Sequence, residues 1–564
     1  MCGIVVALGL QRPRSEIEKI ITACAKKIEH RGPDELKTFV SDDGWCALGF
    51  TRLAICDPVD GHQPMHTSDE SIYAVTNGEI YNHEDLHHTH LDDMPLASHS
   101  DCEVIAPLYQ KYATSMFPFA IEHVYNLLKG VFATVVVDLK RNQFIAARDP
   151  IGIRAMFMGK SDDGAIWFAS EAKSLLEHCS SIEPFMPGSY YAASRGAELA
   201  SSYQKYYKPF YMEPGWLPSR KVDSKKLHDS FVTSVRRRLM SDVPIGVFIS
   251  GGLDSSLVAS IAKKHLPGAY EFHSFSCGLE GSPDVAAAQK VADYLGTKHH
   301  VLTFTVEDGI NALEKVIYHL ETYDITTIRA STPMFLLSKV CKKYVKVVLS
   351  GEGADEVFGG YLYFHNAPSE LDFHEETVRR VKLLYTADVL RGDRSTAAQS
   401  LELRVPFLDR DFLDEAMSFS AGDKVTGKGK RIEKLAIRRA FTKEESGIEY
   451  LPDEILMRPK EQFSDGVGYN WIDGLKDHCA KVVSDDQLTE AAKLFPHDPP
   501  TTKEGYYYRQ LFEKIFGGYE GAQGLRDGIR KWIPLWSESD DPSGRAQRFH
   551  SAAYSQISNG DLPN

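Results

Sequence analysis

Two short glycine-rich segments, SGGLDSS at 250–256 and SGEGADE at 350–356, each follow directly on an apolar run, Ile245 to Ile249 and Val345 to Leu349. An apolar run ending in small residues before a helical pattern reads as strand, loop and helix. Around these two units the same alternation continues. A helix is expected from Ser224, with Leu227, Phe231, Val235 and Leu239 on one face, and others from Ser255 and over Asp284 to Leu295. Strands are expected over Glu271 to Ser276 and His300 to Thr305, followed by two further helical segments, and beyond Glu402 the pattern is mostly helical. Such repetition restricts this part of the chain to a doubly wound parallel sheet covered by helices. In that sheet both loops lie at the carboxyl ends of strands, so they can form one site although 100 residues separate them.

The loop chemistry suits a polyphosphate. Gly251 and Gly252 let backbone N–H groups approach an anion, Ser250, Ser255 and Ser256 add hydroxyl donors, and the next helix contributes its positive N-terminus. Asp254 is itself anionic, but with Asp355 it offers hard oxygen ligands for a magnesium ion bridging phosphates. No lysine follows the glycines, which separates the segment from the GxxxxGK[ST] loop.

The first two hundred residues read differently. Short strands are expected over Gly3 to Leu10, Ile72 to Thr76, Val131 to Val137, Phe144 to Ala147 and Ile166 to Ser170. A helix from Ser15, with Glu18 completing a capping box, carries Ile17, Ile20, Ile21, Cys24 and Ile28 on one face. This is the pattern of an antiparallel sheet with helices packed on it. The segment YYKPFYMEPGWL at 206–217 breaks both periodicities and marks the boundary.

A cysteine follows the initiator methionine. Removing Met1 would leave the Cys2 thiol beside a free α-amine of ordinary pKa about 7.7–8.0, a nucleophile with its own base. Asn77-Gly78 reads by default as a type I′ hairpin turn, and in a catalytic reading as two donors for an oxyanion. HEDLHHTH at 83–90 lacks metal-ligand spacing and reads as a solvated helix or loop.

Composition sets outer limits. A length of 564 residues allows two to four domains, and a net charge of −14 argues against general affinity for nucleic acid or an anionic membrane. Nine cysteines, an odd number with no Cys-x-x-Cys pair, suggest neither a disulfide framework nor a zinc ribbon, so a reducing, cytoplasmic setting is expected. No apolar run approaches the ~18 residues of a membrane span.

SGGLDSS resembles the pyrophosphate loop of the N-type ATP pyrophosphatases. Cys2 with RGPD (31–34), FTRLAI (50–55), TNGEIYN (76–82) and SDCEV (100–104) resembles the class II glutamine amidotransferase domain, an αββα N-terminal-nucleophile hydrolase. The two together are similar to the glutamine-hydrolysing asparagine synthetases. That resemblance extends to HLETYDITTIRASTP (319–333), SGEGADEVFGGYLYFH (350–365), LELRVPFLD (401–409), RPKEQFSDGVGYNWID (458–473) and DDPSGRA (540–546).

The resemblance implies a two-domain α/β chain, with a glutaminase domain at 2–205, a linker at 206–222, a synthetase domain at 223–536 and a polar tail at 537–564. It implies Cys2 as nucleophile, an oxyanion held by Asn77 and Gly78, Arg52 on the glutamine α-carboxylate, and Glu79 and Asp101 on its α-ammonium group. In the second domain Ser250, Gly251, Gly252, Leu253, Asp254, Ser255, Ser256, Cys277, Ser350 and Gly351 would bind ATP and pyrophosphate, and Asp254 and Asp355 magnesium. Glu352 would serve as base at a β-aspartyl-AMP, with Thr326 or its neighbour Thr327, and Arg329, contacting the adenylate. Lys434 or Lys430 would neutralise the transferred phosphorus. Substrates would be glutamine, aspartate and ATP, with ammonia passing through an internal tunnel; the family also implies a homodimer.

One segment departs. IGIRAMF at 151–157 stands where members commonly read FGIKPLY, so Arg154 keeps the charge and Ala155 loses a proline. Three rivals remain on the residues alone: a β-lactam synthetase-like cyclase, opposed by Cys2; an amidotransferase with another acceptor, opposed by TTIRASTP; and a non-catalytic descendant, opposed by retention of Cys2, Asn77, Asp254, Glu352 and Asp355 together.

Overall fold

A computed structural model describes all residues except 115–116, 119, 197–202, 426–430, 459–465, 469 and 538–564. Lys430, DDPSGRA, part of RPKEQFSDGVGYNWID and all but the first residue of the expected tail lie outside the described residues.

The first half holds twelve strands in two antiparallel six-stranded sheets. They are β1 (Gly3–Leu8), β2 (Glu35–Val40), β3 (Cys46–Arg52), β4 (Met65–His66), β5 (Ile72–Ile80), β6 (Gly130–Asp138), β7 (Gln143–Arg148), β8 (Phe157–Lys160), β9 (Ile166–Ala169), β10 (Ser181–Pro184), β11 (Ser189–Ser194) and β12 (Gln204–Lys205). The strand orders are β10-β8-β9-β1-β3-β2 and β12-β11-β7-β6-β5-β4. β1 shows why the layers stack. Its residues alternate between faces, so Ile4, Val6 and Leu8 join Val75, Val135 and Val137 of the second sheet, while Val5 and Ala7 join the core built on helix α1 (Arg14–Lys26). On the outer face of the second sheet, Ile72, Phe132 and Val136 pack with Leu86 of α2 (His83–His90), Leu108 of α3 (Ile105–Tyr112) and Val124 of α4 (Ile121–Leu127). Helix, sheet, sheet and helix give the αββα layering.

Two local expectations fail here. The capping box does not form: Pro13 occupies the cap position and no side chain caps α1, so Ser15 lies inside the first turn and Glu18 pairs with Arg14 at 3.4 Å. Asn77-Gly78 is not a hairpin turn. Both residues lie within β5, registered against Ala133 and Phe132 of β6. The glycine serves close strand approach instead, because a Cβ there would fall 2.1 Å from the Val131 carbonyl oxygen.

The second half is built on a five-stranded sheet, β13 (Ile245–Phe248), β14 (His273–Gly278), β15 (Lys298–Thr303), β16 (Val347–Leu349) and β17 (Glu402–Arg404), in the order β15-β14-β13-β16-β17 with every pairing parallel. Its helices include α5 (Ser224–Arg237), α6 (Leu253–His265), α7 (Pro283–Leu295), α8 (Val306–Leu320), α9 (Ile325–Cys341), α10 (Ala354–Phe358), α11 (Glu370–Leu383) and α12 (Asp388–Ala397). From β13 the chain winds outward through β14 to β15, and from β16 outward the other way to β17. The order therefore reverses between β13 and β16, and the two glycine-rich loops leave the sheet at that switch point, where open α/β sheets bind ligands.

The halves meet across buried charge. Arg31 pairs with Glu171 of its own half (2.7 Å) and Asp393 of the other (3.0 Å); Arg394 pairs with Glu171 (3.1 Å) and Glu321 (3.0 Å). Arg154 is fully buried and pairs with Glu402 at 3.1 Å, so the charge retained in IGIRAMF is used at this seam. Ala155 lines a cavity of about 460 Å³ there, with Arg148, Leu320 and Tyr385.

Candidate active sites

At the N-terminal site Cys2 immediately precedes β1, and its Sγ accepts the Leu53 N–H at 3.4 Å. Burial raises its thiol pKa. The terminal amine of Met1, immediately beside it, donates to the Leu401 carbonyl (3.4 Å) and is held down to about 5 by burial. The Asn77 side chain is fully buried, and neither its Oδ1 nor its Nδ2 has a partner. A buried amide without partners costs on the order of 1–3 kcal/mol, so this one awaits a ligand. The Gly78 backbone is not spent on the neighbouring strand β6. Phe132, opposite it, spends its carbonyl on Asp149 N–H toward β7, which turns the Gly78 N–H and C=O away from β6.

Glu79 and Asp101 sit together, with ligand atoms of Cys56, Glu79 and Asp101 all within 4.8 Å of one another. Asp101 accepts the Ile80 N–H at 2.6 Å, and Cys56 donates to Glu79 at 3.4 Å. Burial pushes both carboxyls above the usual range, and Glu79 is pushed further by Glu402 and Asp101. The described ion-pair partner of Glu79 comes from the other half of the chain: Arg404 at 3.1 Å. Two carboxylates against one shared guanidinium form a site for a further cation. Arg52 is buried at the end of β3 and directs its fork to the carbonyls of Asp57 and Pro58.

The second site is a cleft of about 1330 Å³ at the switch point. Of the residues singled out from sequence, Ser250, Gly252, Leu253, Asp254, Ser255, Cys277, Thr326, Ser350, Gly351, Glu352, Asp355 and Lys434 line it. Gly251 and Ser256 do not line it but shape the loop. Gly251 adopts φ +72° and lies so close to α7 that a Cβ would fall 2.4 Å from Ala287 Cβ. Ser256 is fully buried with a partnerless hydroxyl. Helix α6 starts at Leu253, two residues before the expected Ser255, so Asp254 lies in its first turn. The two loops touch: a Cβ on Gly351 would fall 2.7 Å from the Ser255 backbone nitrogen.

Lys434 ties the loops electrostatically. Its Nζ lies 2.5 Å from Asp254 Oδ2 and 2.7 Å from Asp355 Oδ1, in space left by Gly360, whose Cβ would fall 2.1 Å from Lys434 Cε. The other Asp254 oxygen, Oδ1, is buried without a partner. Among the described lining residues six carboxylates (Asp254, Asp284, Glu352, Asp355, Asp388, Glu433) face four basic side chains (Arg391, Lys434, Arg438, Arg458), an excess of two negative charges. That excess and the free Asp254 oxygen fit a divalent cation with hard oxygen ligands.

The structure separates the two threonines. Thr327 is spent on the cap of α9, where its N–H and hydroxyl both donate to Asp324 at 2.8 and 2.7 Å. Thr326 lines the cleft with a buried, partnerless hydroxyl. Arg329, expected at the adenylate, is not on the cleft wall; its guanidinium is directed to Glu504 (2.8 and 2.5 Å), a residue 175 positions later. Sequence reasoning missed Tyr361, Asp388, Arg391, Arg458 and Trp532, all on the wall. Arg458 opens a motif quoted above, yet nothing local reveals that it reaches Asp284 at 2.8 Å.

Comparison with known proteins agrees with this geometry. A family model described as asparagine synthase matches residues 226–372 and 366–537, and one described as a glutamine amidotransferase domain matches 1–208. Asparagine synthetase [glutamine-hydrolyzing] of Asparagus officinalis is 46% identical over 575 residues, covering 98% of this chain and 94% of its own length. The protein of that name numbered 2 in Arabidopsis thaliana is 47% identical over 577 residues (99% and 96%), and that numbered 2 in Oryza sativa subsp. japonica 46% over 574 (98% and 94%). The chain belongs to the glutamine-hydrolysing asparagine synthetases.

Proposed function

We propose that this chain makes asparagine from aspartate, ATP and the amide nitrogen of glutamine, with the work divided between its two sites. The observation that carries this reading is the backbone contact of the two glycine-rich loops, whose Asp254 and Asp355 share Lys434 at the switch point of the parallel sheet.

In the first half, removal of Met1 gives Cys2 the terminal amine. An α-amine of ordinary pKa about 7.7–8.0 is partly neutral at physiological pH and takes the thiol proton. Cys2 Sγ attacks the glutamine side-chain carbonyl, and the oxyanion is held by the Asn77 amide and the Gly78 N–H. Ammonia leaves with the transferred proton, and water hydrolyses the thioester to release glutamate. Glu79 and Asp101 hold the substrate α-ammonium group, and Arg52 its α-carboxylate.

In the second half the β-carboxylate of aspartate attacks the α-phosphorus of ATP and pyrophosphate leaves. Ser250, Ser255, Gly252 and the N-terminus of α6 receive the leaving phosphates, with Ser350 and Gly351 closing the other side. Phe248, Phe275, Cys277 and Met334 supply an apolar wall for the adenine. Lys434 stabilises the charge developing at phosphorus. Asp254 and Asp355 would hold magnesium, which when bound neutralises phosphate charge. Ammonia then attacks the β-aspartyl carbonyl, Glu352 takes its proton, AMP leaves, and Thr326 contacts the adenylate.

The extensive buried seam between the halves supports passage of ammonia inside the molecule, shielding the acyl adenylate from water. No helix among the described residues is long and apolar enough to cross a membrane, and all nine cysteines are free, which supports a reducing, cytoplasmic setting. The family resemblance also implies a homodimer, which light scattering checks. The test of the reaction is product analysis with glutamine, aspartate, ATP and magnesium. Glutamate, asparagine, AMP and pyrophosphate are expected in equal amounts; ADP and phosphate, or no asparagine, refute the reading.

A further inference from the structure

The roles assigned above use the phosphate side of the cleft and leave Asp388 and Arg391 without one, although both line it. They lie one turn apart on α12, which packs against α9, the helix carrying Thr326. Arg391 is fixed between two acids, with Nη2 2.5 Å from Glu352 and Nη1 2.8 Å from Asp388. Its Nε is buried and has no partner. Asp388 also accepts the Tyr361 hydroxyl at 3.5 Å, and Tyr361 shares the wall.

An α-amino acid presents opposite charges on a single carbon, so a site that reads it needs a carboxylate and a guanidinium side by side. A phosphate cradle needs no such acid, and a purely structural ion pair needs no donor left unused on a residue of the cleft wall. We propose that Asp388 and Arg391 read the α-carbon of the acceptor amino acid, Asp388 taking its α-ammonium group and the Arg391 guanidinium its α-carboxylate through the unused Nε and the Nη1 that Asp388 releases as it turns to the ammonium group. The β-carboxylate is then the one left to face the phosphate loops. This rests on the asparagine synthetase reading and adds to it a reason why the two carboxylates of aspartate are not confused.

The test uses full-length enzyme and a panel of acceptors: aspartate, succinate (no α-ammonium group) and β-alanine (no α-carboxylate), followed by pyrophosphate release with saturating ammonium. Asp388→Asn should lower kcat/KM for aspartate about 100-fold while leaving the ATP KM within about twofold, and should shrink the preference for aspartate over succinate by a similar factor. Arg391→Lys, which keeps the charge but loses the fork, should instead shrink the preference over β-alanine. Glutamine hydrolysis in the same preparations reports that each chain is folded. Equal losses for all three acceptors, or an unchanged aspartate KM, would overturn the subsite and show a merely structural pair. Absence of aspartate turnover by the unaltered enzyme would overturn the functional reading as well.

Discussion

The two sites handle charge in opposite ways. At the glutamine site Glu79 and Asp101 are buried side by side, short of cations, and both carboxyls are pushed upward. In the cleft at the switch point acids share cations, Asp254 and Asp355 on Lys434 and Glu352 and Asp388 on Arg391, with two negative charges in excess among the described lining residues. The first site thus suits the role proposed for it, holding the ammonium group of an amino acid. The second holds cations that can be redirected to anions when a nucleotide enters. The contrast also has a spatial side. The only described ion-pair partner of Glu79 is Arg404, on the edge strand of the other half, whose backbone carbonyl accepts the N–H of Ser350 in the second glycine-rich loop (3.0 Å).

The strongest way to break this division is Cys2→Ala. It should lower glutamine-dependent asparagine formation more than about 1000-fold while synthesis from ammonium chloride continues at near its original rate; equal loss of both contradicts the division. Next is Lys434→Met, which removes the stabilising charge and leaves Asp254 and Asp355, both half-buried, without their shared cation. Synthesis from either nitrogen source should fall about 100- to 1000-fold, and the fold should lose about 1–3 kcal/mol, read by denaturant titration, with glutamine hydrolysis still measurable.

A pH series sharpens the comparison. On the proposed roles glutamine binding needs ionised Glu79 and Asp101, and their folded pKa values lie above the ordinary carboxylate range. Acidification therefore protonates them early, and the KM for glutamine should rise at a pH above that range. Glu79→Gln should raise the KM at neutral pH and flatten that rise; a flat KM in the unaltered enzyme contradicts the assignment. The smallest effects come from the threonine pair. Thr326→Val should reduce synthesis about tenfold with little change in stability, whereas Thr327→Val should leave catalysis near normal and cost about 1 kcal/mol through the lost hydroxyl bond to Asp324.

Much of this was legible in the sequence because it is local. The order of strand, glycine-rich loop and helix marks Ser250 and Ser350 as ligand positions whatever surrounds them, and a cysteine after Met1 needs no tertiary context to be noticed. Where local rules failed, a longer-range contact prevailed. Asn77-Gly78 carries a strong turn signal, yet pairing with β6 extends the strand through it. Ser15 and Glu18 have capping-box spacing, yet Pro13 sets the helix start one residue earlier. Asp324 distinguishes two adjacent threonines, and the Arg329–Glu504 pair joins residues 175 positions apart. Arg391 and Asp388 sit in a segment with no motif of their own, and only the packing of α12 against α9 brings them to the cleft.

The central claim is that the two halves act in series on one nitrogen atom. The direct measurement supplies glutamine labelled with ¹⁵N at its side-chain amide, together with aspartate, ATP, magnesium and unlabelled ammonium chloride, and reads the asparagine amide by mass spectrometry. Retention of ¹⁵N in most of the asparagine, well above its share of the total ammonia pool, is the predicted result. Asparagine labelled only in proportion to that pool would contradict it.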